Sequence, residues 1–124
     1  MGLAVSFLYA IGSVVCHQRP ERSFFWDGVQ LPVCARCTGL YVGGAVALFA
    51  WWAARFTGHM PGRLLTPPRA RRVIVLTAIP TAVSWTAGAL GIWDGGNVTR
   101  ACLALPLGLA FGVIVGAVST KDLR

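Results

Sequence analysis

Charge is scarce in this 124-residue chain: Asp, Glu, Lys and Arg together make up 12% of it, and only four residues are acidic. A soluble domain carries about 25% charged residues. With 56% hydrophobic residues beside it, that shortage excludes water as the main solvent of the folded chain. Also absent are a Gly-x-y period and any Pro/Ser-rich tract. The 15 glycines therefore belong to neither a collagen-like nor a disordered segment and must serve packing or turns. The first fifteen residues contain no Lys or Arg, and no small-residue cleavage site precedes Cys16. A cleaved secretory signal needs both, so this stretch is expected to be a retained helix. Acidic and histidine side chains are missing from the middle of every apolar run, which argues against an ion or proton path.

What is present is a set of apolar segments separated by basic connections. A helix that crosses a bilayer needs about 20 apolar residues, and four segments come close, over residues 1–18, 37–54, 73–93 and 101–119. The expected fold is all-α, a single membrane domain built as a bundle of four transmembrane helices. Pro80 and Pro106 fall inside the last two segments and should kink them without abolishing them. A net charge of +7 would suggest nucleic acid if it formed a stripe on a soluble surface. Here the basic residues alternate with apolar runs and read as membrane orientation. The connection from Arg55 to Arg72 holds five arginines, including Arg63, and the tail adds Lys121 and Arg124. The opposite side receives Arg19, Arg22, Arg36 and Arg100. Seven basic residues against four place the N and C termini in the cytoplasm by the positive-inside rule.

Helices in lipid have no hydrophobic force driving them together, so small residues must let their backbones approach. Gly39 and Gly43 in the second segment, and Gly108, Gly112 and Gly116 in the fourth, recur at intervals of four. These two helices are expected to cross closely. The same glycine faces would serve an accessory or scaffold subunit that binds another membrane chain or a second copy of itself.

The expected topology gathers all four cysteines on the non-cytoplasmic side of a multi-pass cell-membrane protein. Cys16 and His17 end the first helix, Cys34 and Cys37 open the second, and Cys102 begins the fourth. A Cys-x-x-Cys turn points two thiolates at one place, and a further cysteine and a histidine complete the Cys3His set that zinc prefers. Copper and iron also take thiolate ligands. Cys16, His17, Cys34 and Cys37 are therefore the expected ligands, with Cys102 as an alternative fourth. The same atoms suit two other chemistries, structural disulfides in an oxidising compartment and a redox dithiol at Cys34 and Cys37, whose thiolate the neighbouring Arg36 would favour. No histidine follows Cys37 directly, which disfavours covalent haem attachment.

Arg19, Arg22, Arg36, Asp94, Asn97 and Arg100 lie in the same two connections. They form a candidate contact for an anion or a lipid head group, because a guanidinium fork matches phosphate oxygens in pairs. The competing reading is that the arginines pair with Glu21, Asp27 and Asp94 and anchor the loops. His59 reads as a solvated loop residue, and Phe24, Phe25 and Trp26 as interfacial aromatics. Membrane lipids are the expected partners, and enzyme, binding protein and scaffold all remain open.

Two blocks carry a resemblance to a known family: Cys16-His17-Gln18-Arg19-Pro20-Glu21-Arg22-Ser23-Phe24, and Leu31-Pro32-Val33-Cys34-Ala35-Arg36-Cys37-Thr38-Gly39-Leu40-Tyr41-Val42-Gly43. They resemble a family of small bacterial and archaeal polytopic membrane proteins known as a domain of unknown function. Asp94, Asn97 and Arg100 are similar to a later element of that family, although Ala101-Cys102 stands here where the family often has Thr-Gly after a longer connection. The resemblance implies a membrane location and an important outer-loop site, with no established activity.

Overall fold

In a computed structural model the chain is described over residues 2–59 and 65–122. Met1, Arg63 and Arg124, used above for helix bounds and orientation, lie outside the described residues. Four helices form, α1 over Leu3–Val15, α2 over Ala35–Phe56, α3 over Pro67–Ala89 and α4 over Gly96–Ser119. Three of them, α2, α3 and α4, are long and apolar enough to cross a membrane. Their surfaces agree with that solvent. Within α3 only Ala70 and Ser84 are buried, while Val75, Leu76, Ile79, Val83 and Trp85 are exposed. In water such a face would be an association liability; in lipid it is the solvated one.

The core is the seam between α2 and α4, which run parallel. A Cβ placed on Gly39 would collide with the Ala101 backbone, and one on Gly108 with that of Leu40. One on Gly43 would stand 2.6 Å from the Leu105 carbonyl oxygen, and one on Gly116 would stand 2.7 Å from Trp51 Cδ1. The glycine faces expected to cross do so, because hydrogen is the one substituent thin enough for this backbone separation. At the far end of the seam Trp51 Nε1 donates to Thr120 Oγ1 at 3.3 Å, and Arg55 pairs with Asp122 at 3.1 Å. Antiparallel to both, α3 is joined to α4 by Thr81 Oγ1, which donates to the Leu103 carbonyl at 3.0 Å. Pro80 and Pro106 both remain inside continuous helices.

Three features differ from expectation. First, α1 spans 13 residues, about 20 Å at 1.5 Å per residue, against a hydrocarbon layer of about 30 Å. It does not join the seam but lies along a β-hairpin: Tyr9 Oη donates to the Gln30 carbonyl, and a Cβ on Gly12 would strike the Pro32 carbonyl. The helix stops at Val15 because Cys16 turns extended and Gln18 adopts a left-handed φ of 46°. Second, that hairpin, β1 over Ser23–Trp26 and β2 over Val29–Cys34, adds two strands to a fold expected to be all-α. Its two-residue turn, Asp27-Gly28, has φ of 49° and 77°, the positive pair a type I′ turn requires. Third, α3 begins at Pro67 and α4 at Gly96, five to six residues before their apolar runs. Pro at the first helical positions of α3 pre-sets φ and forgoes a donor with no partner there. Helix starts thus follow backbone signals, whereas hydropathy marks where the apolar surface begins.

A candidate metal centre at one end of the bundle

The site is assembled by the strap that joins α1 to α2. Beyond Cys16 the chain reverses at Gln18, whose Nε2 donates to the Tyr9 carbonyl at 2.9 Å and the Pro32 carbonyl at 2.7 Å. Gln30 Nε2 returns a bond of 2.7 Å to the Gln18 carbonyl, and Ser23 Oγ donates to the Arg19 carbonyl at 2.9 Å. These bonds fix the end of α1 beside the end of β2. Cys16 is thereby carried to Cys34, whose backbone N–H donates to Cys16 Sγ at 3.2 Å. Cys34 is the N-cap residue of α2, and Cys37 follows one helical turn later on the same side.

The sulfurs of Cys16, Cys34 and Cys37 all lie within 4.8 Å of one another. Around a tetrahedral zinc with bonds of about 2.3 Å, sulfurs stand about 3.8 Å apart. Small side-chain rotations would close the set, so three sulfurs at this spacing fit a thiolate-bound metal. The Cys37 thiol donates to Cys34 and holds the Cys34 thiol down at about 5, against burial that pushes it up; the Cys37 and Arg36 backbone N–H groups add to the lowering. The start of α2, with its positive dipole end, favours the same anion.

The sequence-based site residues divide. Cys16, Cys34 and Cys37 converge, as free thiols. His17 is exposed and lines a cavity of about 390 Å³ over the sulfurs, outside the three-sulfur group. Cys102 is an exposed free thiol on α4 and is not a member of that group. The fold therefore does not draw all four cysteines to one place. Arg19, Arg22 and Arg36 line the cavity. Asp94, Asn97 and Arg100 instead make a structural tie. Arg100, 8% exposed, donates to Asp94 Oδ1 and, at 3.0 Å, to Asn97 Oδ1; Asn97 Nδ2 donates to the Ser23 carbonyl at 3.0 Å. This network clips the start of α4 to the hairpin, and its arginine already has its carboxylate.

Besides Val15, two cavity residues escaped sequence reasoning. Gln18 is the clamp, and its position directly after Cys16-His17 was its one signal. Trp85 reaches the cavity from α3; nothing local marks it, since it lies 48 residues beyond Cys37. The hairpin that delivers Cys34 had a legible signal, Asp27-Gly28 between two apolar stretches.

Comparison with known proteins finds archaeal relatives and a family of membrane proteins. An uncharacterized protein of Methanothermobacter thermautotrophicus is 33% identical over 104 residues, covering 81% of this chain and 83% of that protein. The uncharacterized protein MJ1492 of Methanocaldococcus jannaschii is 36% identical over 95 residues, covering 75% of this chain and 56% of the relative. This chain therefore spans little more than half of that second protein. No solved structure matches the chain. A family model described as a predicted membrane protein matches residues 16–115, a stretch that begins at the first clustered cysteine, takes in α2 and α3 and ends within α4. By that match, which covers most of its length, the chain belongs to the membrane protein family DUF2085.

Proposed function

We propose that this protein is a membrane metal-binding protein whose zinc is held by Cys16, Cys34 and Cys37, with the fourth coordination position facing the cavity that His17 lines. The observation that carries the reading is the convergence of three sulfurs from two separate stretches of chain within 4.8 Å. Thiolates favour zinc, with cuprous copper or iron as the other metals of matching softness. A three-protein-ligand zinc with one open position is the arrangement of catalytic rather than closed structural sites, and when bound the metal would polarise a ligand there. In this reading the cavity takes an anion such as a lipid phosphate. The site faces the non-cytoplasmic side, on the strength of the seven-to-four basic bias.

Elemental analysis of purified protein tests the metal. The parent is expected to carry about one equivalent, and Cys34→Ser and Cys37→Ser to lose it, because a site with two thiolates left is incomplete. Metal content unchanged by both substitutions would refute the reading.

A second reading, a membrane thiol-disulfide oxidoreductase, draws support from Cys34 at the α2 N-cap with the Cys37 thiol donating to it. It requires a Cys34–Cys37 disulfide that alkylation trapping catches in both redox states. A single redox state under oxidant and reductant would dismiss it.

A further inference from the structure

Two kinds of arginine stand out among the described residues near the helix ends. Arg55 and Arg100 each hold an aspartate. Arg19, Arg22 and Arg36 have no carboxylate within ion-pair distance among the described residues, yet all three line the same cavity. Arg36 is the most telling. Its Nη2 reaches Ser84 Oγ at 3.4 Å, while its Nε is fully buried with no hydrogen-bond partner. That nitrogen is shut off from the cavity, so what faces the space is the like charge of three guanidiniums crowded around it, which is unfavourable while nothing of opposite sign enters. Such an arrangement is stable when an anion occupies the space.

We propose that the cavity above the three sulfurs is a phosphate-binding site, in which Arg19, Arg22 and Arg36 hold the phosphate oxygens beside the open position of the metal. The assignment deepens the metal reading and rests on it for that last contact. Charge supports it: three thiolates on a divalent metal carry one net negative charge, so three guanidiniums leave a surplus of two, which a phosphate dianion neutralises. Shape supports it as well. Three forked donors suit a tetrahedral group with three free oxygens better than a carboxylate with two. A volume of about 390 Å³ exceeds the size of a bare phosphate and admits a phosphate-bearing head group. The wall includes Val15 and the exposed indole of Trp85, the kind of aromatic side chain enriched at the lipid interface. Free phosphate and a phospholipid head group share the chemistry, and binding measurements separate them.

The test is calorimetric titration of the full chain in neutral detergent, with metal content measured on every sample. The probes are inorganic phosphate, short-chain phosphatidic acid and, as a control, short-chain phosphatidylcholine. Arg22→Gln and Arg36→Lys are each expected to weaken binding about tenfold or more, the scale of one charge-assisted hydrogen bond. Arg36→Lys keeps the positive charge beside Ser84 and guards against misfolding. Arg55→Gln, altered at the opposite end, is expected to bind as the parent does. Comparable affinity for phosphate and phosphatidic acid supports a free-phosphate site; phosphatidic acid tighter by tenfold or more supports a head-group site. Arginine-dependent binding in protein that carries no metal supports this proposal and refutes the metal reading. Metal-loaded protein that binds neither phosphate nor phosphatidic acid overturns this proposal and leaves the metal site standing, as does binding unchanged in Arg22→Gln and Arg36→Lys.

Discussion

Two neighbouring glycines on α2 offer a direct measure of what holds the bundle together. A Cβ added at Gly43 would lie 2.6 Å from the Leu105 carbonyl oxygen and 3.0 Å from the Leu109 amide nitrogen. Both are backbone atoms of α4, which cannot swing aside as a side chain does. Ordinary carbon–oxygen contact needs roughly 3.5 Å, so α2 and α4 must separate by most of an ångström. At Gly44 the same methyl group would meet the Gly108 carbonyl oxygen at 3.5 Å, a normal contact. Both substitutions to alanine gain up to about 1 kcal/mol of helix propensity, and that gain cancels between them. What remains is the overpacking at Gly43, about 1–3 kcal/mol, with lost interhelical dispersion included. Unfolding in mixed micelles titrated with sodium dodecyl sulfate should rank Gly44→Ala at or above the parent and Gly43→Ala below Gly44→Ala by that margin. Equal stabilities for the two variants would refute the claim that backbone approach through glycine holds α2 against α4.

Two further outcomes follow from the site. In chelator-treated protein the Cys34 thiol, held at about 5, is deprotonated above that pH, so its alkylation rate should be nearly flat between about pH 7 and pH 9 and fall as pH drops through 5. An ordinary thiol near 8.5 would instead speed up about tenfold per unit between roughly pH 6 and pH 8, and that profile, read by mass spectrometry of the labelled Cys34 peptide, would contradict the hydrogen-bonded Cys37–Cys34 pair. Asn97→Ala removes the bond to the Ser23 carbonyl and one of the two acceptors of buried Arg100. It should cost about 1–3 kcal/mol in the same micelle unfolding while leaving phosphate affinity at the parent value; a tenfold loss of phosphate binding would return Asn97 to the anion site.

Much of this protein was legible from its residues one stretch at a time. Scarce charge and apolar runs of membrane length follow from the solvent alone, so composition determined the membrane location. Glycines at intervals of four determined that α2 and α4 meet, because a four-residue period marks one face of a helix whatever surrounds it. Cys-x-x-Cys at the start of an apolar segment determined the pairing of Cys34 with Cys37 for the same local reason. The tertiary structure decided which other groups join them. Cys16 reaches the pair only because Gln18 reverses the chain and ties it to β2, whereas Cys102, equally close to that end in the linear reading, stays outside. Arg100 and Arg22 look alike in sequence, yet one is neutralised by Asp94 and the other faces a cavity. Trp85 enters from a helix 48 residues away. Each of those distinctions depends on distances between segments remote along the chain, and such distances exist only once the backbone has folded.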